Sequence, residues 1–312
     1  MIRLKKFFST GMACITAISL LLTACTGGGS GQKGARIVTS FYPVYVLTLN
    51  LTDGIEGLTV ANMTQSRGGC LHDYQLLPGD MRLLSTAELF VINGAGLETF
   101  LDMITGQLLE LTVCDSSTGA SILSGEGEAH EHGEGETHGH DHGDNAHIWL
   151  SIDNAMVQVQ NISDALIAAF PEYREQLKAN TAGYLARLES LREEIRLLLA
   201  PYLGEQVVSF HEGFDYLMAE FGLSIAHEVE THDGAQPSAQ ELAHVTREVE
   251  AEGIRLLAID ADEPPVSAEV LARETGAVIC PLYTIVNGDE DKYSYENAMR
   301  HNAQAVAEVL GA

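Results

Sequence analysis

The sequence predicts an α/β protein of two lobes, each a mainly parallel sheet flanked by helices, joined by a long rigid helix. Three observations carry this reading. Short apolar runs alternate with amphipathic ones in both halves, as in strand–helix units whose parallel strands are covered on both faces. Residues 35–312 are enough chain for two compact domains rather than one. Between the halves, Leu177, Tyr184, Leu188, Leu191, Ile195 and Leu198 recur at helical spacing over Glu172–Ala200. At 1.5 Å per residue that is about 40 Å of helix, enough to run past two stacked lobes and to stiffen them against each other; an ordinary core helix fits the same spacing.

In chain order, Ile37–Phe41 reads as a strand, with Pro43 opening a helix through about Asn50. Leu58–Met63 is a second strand, Pro78–Ser85 a helix, Leu89–Ile92 a third strand and Leu97–Ile104 a helix. A further helix is capped near Ser151 or Asp153, with Pro171 and Pro201 as punctuation around the long one. The second half repeats the style with strand Gln206–Phe210, helix Glu212–Phe221, strand Leu223–His227 and helix Ser238–Glu252. Strand Ile254–Ile259, helix Ser267–Thr275 and strand Ala277–Leu282 follow. Ser238 and Ser267 suit N-caps, Glu241 completes a capping box, and Gly253 and Gly276 suit helix ends.

The N-terminus reads as an export signal. Arg3, Lys5 and Lys6 precede the apolar run Met12–Leu22, which is too short for a membrane span. Leu22-Thr23-Ala24-Cys25 resembles the bacterial lipobox, and by that resemblance Cys25 becomes the lipidated first residue of the mature chain. Several acyl chains, at about 0.8 kcal/mol per buried CH₂, would anchor it stably on the outer face of the cell membrane. The Gly/Ser run behind it is a flexible tether. The divisions are thus signal 1–24, lipidated tether 25–35, first lobe 36–170, connecting helix 171–200 and second lobe 201–312. The formal charge of −27 disfavours nucleic acid and attracts cations. Cys70, Cys114 and Cys280 match no cysteine-pair zinc motif. A Cys70–Cys114 disulfide suits the compartment, and isolated buried thiols are the simpler account.

The segment 126–146 carries most of the chemistry. It holds His130, His132, His138, His140, His142 and, just beyond, His147, among glycines and carboxylates that no packed core needs. Imidazole is a common ligand for borderline metals, and such tracts read as metal binding. His130–His142 suit low-affinity collection. Outside that tract, His72 follows a strand and a Gly68-Gly69 loop, His147 precedes the Ser151 helix, and His211 comes directly off a strand. In open α/β sheets ligands bind beyond the carboxyl ends of strands, the address of His72 and His211. At the start of a helix the dipole would keep His211 neutral and free to coordinate. His232 lies in a polar loop that can approach the cleft, His227 is at a strand end, and His244 and His301, on helices, read as surface or packing residues.

Gly69-Cys70-Leu71-His72-Asp73-Tyr74, Leu89 to Glu98, Asn145-Ala146-His147-Ile148-Trp149-Leu150 and Phe210-His211-Glu212-Gly213-Phe214 together resemble the metal-binding lipoproteins of ABC importers. The likeness, to the zinc- and manganese-specific receptors, covers nearly all of 36–312. It implies a metal in the cleft between the lobes, held by His72 and His147 from the first and His211 from the second. It also implies an ABC permease with its cytoplasmic ATPase as partner, and a monomeric receptor. A His-rich insert before the second ligand resembles the zinc subgroup. One departure stands out: Thr284 and Ile285 occupy the stretch where many relatives supply a carboxylate as fourth ligand. Three neutral nitrogens suit Zn(II) better than manganese, which prefers oxygen, and leave nickel, cobalt or copper thermodynamically open. A zinc hydrolase is the competing class, but there is no HExxH segment, and Asn93-Gly94-Ala95-Gly96 is too short for a dinucleotide fingerprint. A structural zinc in an adhesion or sensing protein is the third reading.

Overall fold

The computed structural model describes residues 36–64, 71, 74–124, 144–229 and 237–312. In the first half β1 (Ile37–Thr39), β2 (Val60–Asn62), β3 (Leu89–Ile92) and β4 (Thr112–Asp115) form a parallel sheet in the order β2-β1-β3-β4. The second half repeats this with β5 (Gln206–Ser209), β6 (Ser224–Glu228), β7 (Leu256–Asp260) and β8 (Val278–Leu282), ordered β6-β5-β7-β8 and again parallel. Each sheet therefore has its crevice between its two central strands, beyond their carboxyl ends, where successive connections diverge to opposite sides.

Helices α1 (Tyr42–Thr52), α2 (Pro78–Leu84), α3 (Leu101–Gln107) and α4 (Ile152–Ala169) belong to the first half. The second half contributes α6 (Phe214–Glu220), α7 (Ala239–Glu252), α8 (Val266–Thr275) and α9 (Ser294–Gly311). Between them α5 runs from Arg174 to Leu199, with a 3-10 turn at either end. Its buried stripe is Leu177, Thr181, Tyr184, Leu188, Leu191, Ile195 and Leu199. Leu199, four residues after Ile195, replaces the expected Leu198, which is exposed. The stripe packs on α1 and α4 of one half and on α9 of the other. One apolar core therefore runs through both halves, and a second lies beneath α7 and α8. Arg187 of α5 adds a polar tie, donating to Glu296 of α9 at 3.0 Å and to Asn50 of α1.

Local chemistry explains most boundaries. Ser151 accepts from the Asn154 N–H to cap α4, and Ser238 and Glu241 form the expected box. Gly253 and Gly276 close α7 and α8 in the left-handed region. Ser267 is not a cap: α8 starts from Pro265, whose carbonyl accepts from Glu269 N–H at 2.8 Å, and Ser267 is buried inside the helix. Helix α3 begins four residues later than expected: the chain after β3 turns through Gly94, Ala95 and Gly96, all at positive φ, and turns again at Thr99 and Phe100 before the helix starts. Cys114 and Cys280 are buried free thiols, and burial pushes both up to about 12. Cys70 lies outside the described residues.

The turn after β3 closes around Glu98. Its buried carboxyl accepts from Ser40 Oγ at 2.6 Å, Asn93 N–H at 2.8 Å and Gly94 N–H at 3.0 Å. Burial outweighs these donors and pushes the group up from 4.5 to about 7. The folded protein thus holds that proton more tightly than the unfolded chain does. The stabilisation is fully present below 4.5 and is lost as pH rises through about 7. Its full size is roughly 3 kcal/mol. Urea unfolding between about pH 5 and about pH 8 should show the wild type losing stability relative to Glu98→Gln by up to that amount. Parallel pH profiles for the two proteins would contradict this.

Candidate metal centre

Both described candidate ligands are held by local structure. His147 ends the segment that enters a 3-10 turn, Ile148–Leu150, whose three side chains are fully buried. Leu150 N–H closes that turn on the His147 carbonyl at 3.0 Å. Trp149 anchors it to the second half, donating from Nε1 to the Thr284 carbonyl at 2.8 Å and accepting from Tyr295 Oη at its own carbonyl, also at 2.8 Å. In the first half, Asn93 Nδ2 at the end of β3 donates to the Ala146 carbonyl at 2.9 Å. His147 therefore lies over the carboxyl end of the first sheet.

His211 leaves β5 at the equivalent end of the second sheet. Its carbonyl accepts from Ser209 Oγ at 2.8 Å and from Phe214 N–H at 3.1 Å, and its Nδ1 accepts from Gly213 N–H at 3.0 Å. The expected helix start at Glu212 is corrected: His211 to Gly213 form a turn, and α6 begins at Phe214. His211 thus precedes the helix instead of opening it, and the N–H of the N-cap residue Gly213 faces its ring.

The two rings meet edge to face with centroids 4.8 Å apart. Two imidazoles on one tetrahedral zinc, at about 2.0–2.1 Å from metal to nitrogen, have centroids roughly 5 Å apart. The His147 side chain is 4 % exposed, and its Nδ1 lies 3.1 Å from Asn145 Oδ1 and 3.4 Å from Glu212 Oε1. Both neighbours are acceptors, a setting that favours the proton on Nδ1 and the lone pair on Nε2, the arrangement a metal ligand requires. Trp149 stands 5.1 Å from His147 and Phe214 5.5 Å from His211, giving the pair an aromatic wall. Gly213 makes the approach possible: a Cβ there would sit 2.9 Å from Leu150 Cδ1 and 3.0 Å from His147 Cγ.

His72, His130, His132, His138, His140, His142, His232 and Cys25 lie outside the described residues. Among the described residues no three His, Cys, Asp or Glu side chains gather around one point. The remaining histidines lie elsewhere: His227 and His244 face Glu248 of α7 at 3.2 and 3.5 Å, and His301 meets the Tyr283 ring at a tilt. At the expected fourth-ligand stretch, Thr284 Oγ1 donates to buried Asp260 at 2.9 Å, and Ile285 is buried with φ of 60°. Asn145, Trp149 and Gly213 enter the sequence reading only as parts of motifs; Trp149 and Gly213 meet residues far along the chain, and the Asn145 amide is oriented by the distant Glu212 carbonyl, so spacing gives no sign of their separate roles.

The family model for the periplasmic component A of the zinc-uptake complex, ZnuA, matches residues 37–309. The chain belongs to that family. Its members are transport receptors for zinc, not enzymes. The chain is 29% identical over 316 residues to the high-affinity zinc uptake system protein ZnuA of Bacillus subtilis, covering 96% of this chain and 97% of that protein. It is 28% identical to the zinc-binding lipoprotein AdcA of Streptococcus pneumoniae over 93% of this chain, which spans only 59% of that longer protein. Among solved structures, the Mn2+ complex of the binding protein FpvC from Pseudomonas aeruginosa matches with a TM-score of 0.77 at 25% identity, covering 89% of this chain and 99% of that one. A crystal structure of ZnuA matches with 0.74 at 24% identity, over 88% and 99% of the two chains.

The Gly213 contact has a measurable consequence. Gly213→Ala drives a methyl into Leu150 and His147, and overpacking of this kind costs about 1–3 kcal/mol. Thermal unfolding should show that loss, and zinc affinity should fall with it because the His147 ring is displaced. A variant with unchanged stability and unchanged affinity would contradict the close approach.

Proposed function

We propose that this protein captures Zn(II) outside the cytoplasm between its two lobes and passes it to an ABC permease driven by a cytoplasmic ATPase. His147 from the first lobe (36–170) and His211 from the second (201–312) are the proposed ligands, with His72 as the third. The observation that carries the reading is the pair of imidazoles from opposite halves, 4.8 Å apart, one of them with its Nδ1 facing two acceptors. An imidazole that coordinates through Nε2 keeps its proton on Nδ1. The Gly213 N–H that now meets His211 Nδ1 would therefore be given up when His211 takes the metal. The connector over 171–200 would keep the lobes in register.

The His-rich segment 126–146 is proposed to collect ions at low affinity through His130, His132, His138, His140 and His142. Cys25 is proposed to carry the lipid that holds a monomeric receptor on the outer face of the membrane, in keeping with a relative named as a lipoprotein. Manganese is the competing cargo, since one structural neighbour holds Mn2+. A three-imidazole shell favours zinc, because manganese prefers oxygen-rich octahedral sites.

Calorimetric titration of the zinc-free protein without its signal segment tests this reading. The wild type should show one tight zinc site, weaker additional sites and poor manganese binding. His72→Ala, His147→Ala and His211→Ala combined should abolish the tight site and spare the weak ones. Deleting 130–142 should do the reverse. Equal tight binding by the wild type and the triple variant would refute the cleft site.

A further inference from the structure

We infer that Asn145 is the positioning residue that fixes His147 in its Nδ1–H tautomer and thereby presents Nε2 to the cargo ion. The inference rests on the receptor reading above, because it assigns how one of the proposed ligands is prepared.

Every polar group of Asn145 is engaged. Its N–H donates to the Leu123 carbonyl at 2.9 Å, and its carbonyl accepts from Tyr216 Oη at 2.6 Å. Its Oδ1 meets both the backbone N–H and the ring Nδ1 of His147, each at 3.1 Å. Its Nδ2 donates to the Glu212 carbonyl at 2.8 Å. Turning the amide over would set its NH₂ against the His147 N–H and its oxygen against the Glu212 carbonyl, so the network fixes its orientation. With Oδ1 facing the ring, only a protonated Nδ1 satisfies the contact, and Asn145 is itself only 3 % exposed. Glu212 is the weaker candidate for this task, since its carboxylate is farther away at 3.4 Å and one-third exposed to water. Tyr216 braces the arrangement by accepting from Leu123 N–H at 3.0 Å while donating to Asn145.

The same amide spans the two halves, touching a ligand of the first and the main chain beside His211 of the second. Asparagine is an uncharged acceptor, and it stands nearer to the ring than the Glu212 carboxylate does. An outer carboxylate would raise the basicity of the imidazole further, whereas an amide orients it with less effect on ligand strength.

The test uses long-range ¹H–¹⁵N spectra of the imidazoles in the zinc-free protein, at a pH where the rings are neutral, with His147→Ala assigning the signal. The wild type should show His147 as the Nδ1–H tautomer. Asn145→Ala should shift it toward Nε2–H and weaken zinc binding about 10–100-fold while circular dichroism shows a folded chain. Asn145→Asp keeps an acceptor on the ring but sets its second oxygen against the Glu212 carbonyl, so it should restore the tautomer and recover part of the affinity. An unchanged tautomer in Asn145→Ala, or an Asn145→Asp variant as weak as Asn145→Ala, would overturn the inference. Should His147→Ala itself bind zinc like the wild type, the receptor site fails instead, so the two failures are distinguishable.

Discussion

Along α5, Leu177, Tyr184, Leu188, Leu191, Ile195 and Leu199 are withdrawn from water against helices of both halves, and the meeting of His147 with His211 depends on that contact. Burying a large aliphatic side chain contributes about 1.5–3 kcal/mol, so the stripe is a major share of what joins the halves. The Arg187 contacts with Glu296 and Asn50 add direction, because a guanidinium fork meets its acceptors in only a few orientations. With α1, α5 and α9 locked together, the crevices of the two sheets are held where their loops can meet.

What meets there is a pair of side chains from positions 147 and 211, brought together by contacts that cross between halves at several points. Trp149 reaches the Thr284 carbonyl, Tyr295 reaches Trp149, and Asn145 reaches Glu212. Each donor is buried or partly buried, so losing its acceptor would strand a polar group away from water. These bonds set geometry more than affinity. They hold His147 rigid and nearly dry, a state in which a neutral imidazole is a good ligand for a borderline cation. That suits the zinc-receptor family to which the chain belongs.

Much of this was legible in the sequence, and the exceptions have physical causes. Strand β3 was read to the residue because four apolar side chains sit between a polar turn and a glycine-rich one. Strand β4, Thr112–Asp115, was missed because an edge strand with three of four residues at least partly exposed has no apolar run to betray it. Helix α9 was not delimited, although Tyr295, Met299, Ala303, Val306 and Leu310 do recur at helical spacing; small residues and an early glutamate mask the stripe. At the site, the place of His211 just beyond a strand was legible from a local rule, whereas His147 follows no strand directly and His72 lies outside the described residues. Asn145 reaches His147 two residues on, but the amide orientation that makes this contact is set by Glu212, and Gly213 meets Leu150 and His147; both depend on residues more than sixty positions away that no periodicity encodes.

The central claim is that one zinc ion is held by imidazoles from both halves of the chain. Zinc-edge X-ray absorption on protein lacking residues 130–142, loaded with one equivalent of zinc, tests it directly. The account predicts a first shell of nitrogen and oxygen at about 2.0–2.1 Å with the outer scattering of three imidazoles, reduced to two in His147→Ala and in His211→Ala alike. A shell containing sulfur, or one whose imidazole count is the same in either variant as in the parent, would contradict it.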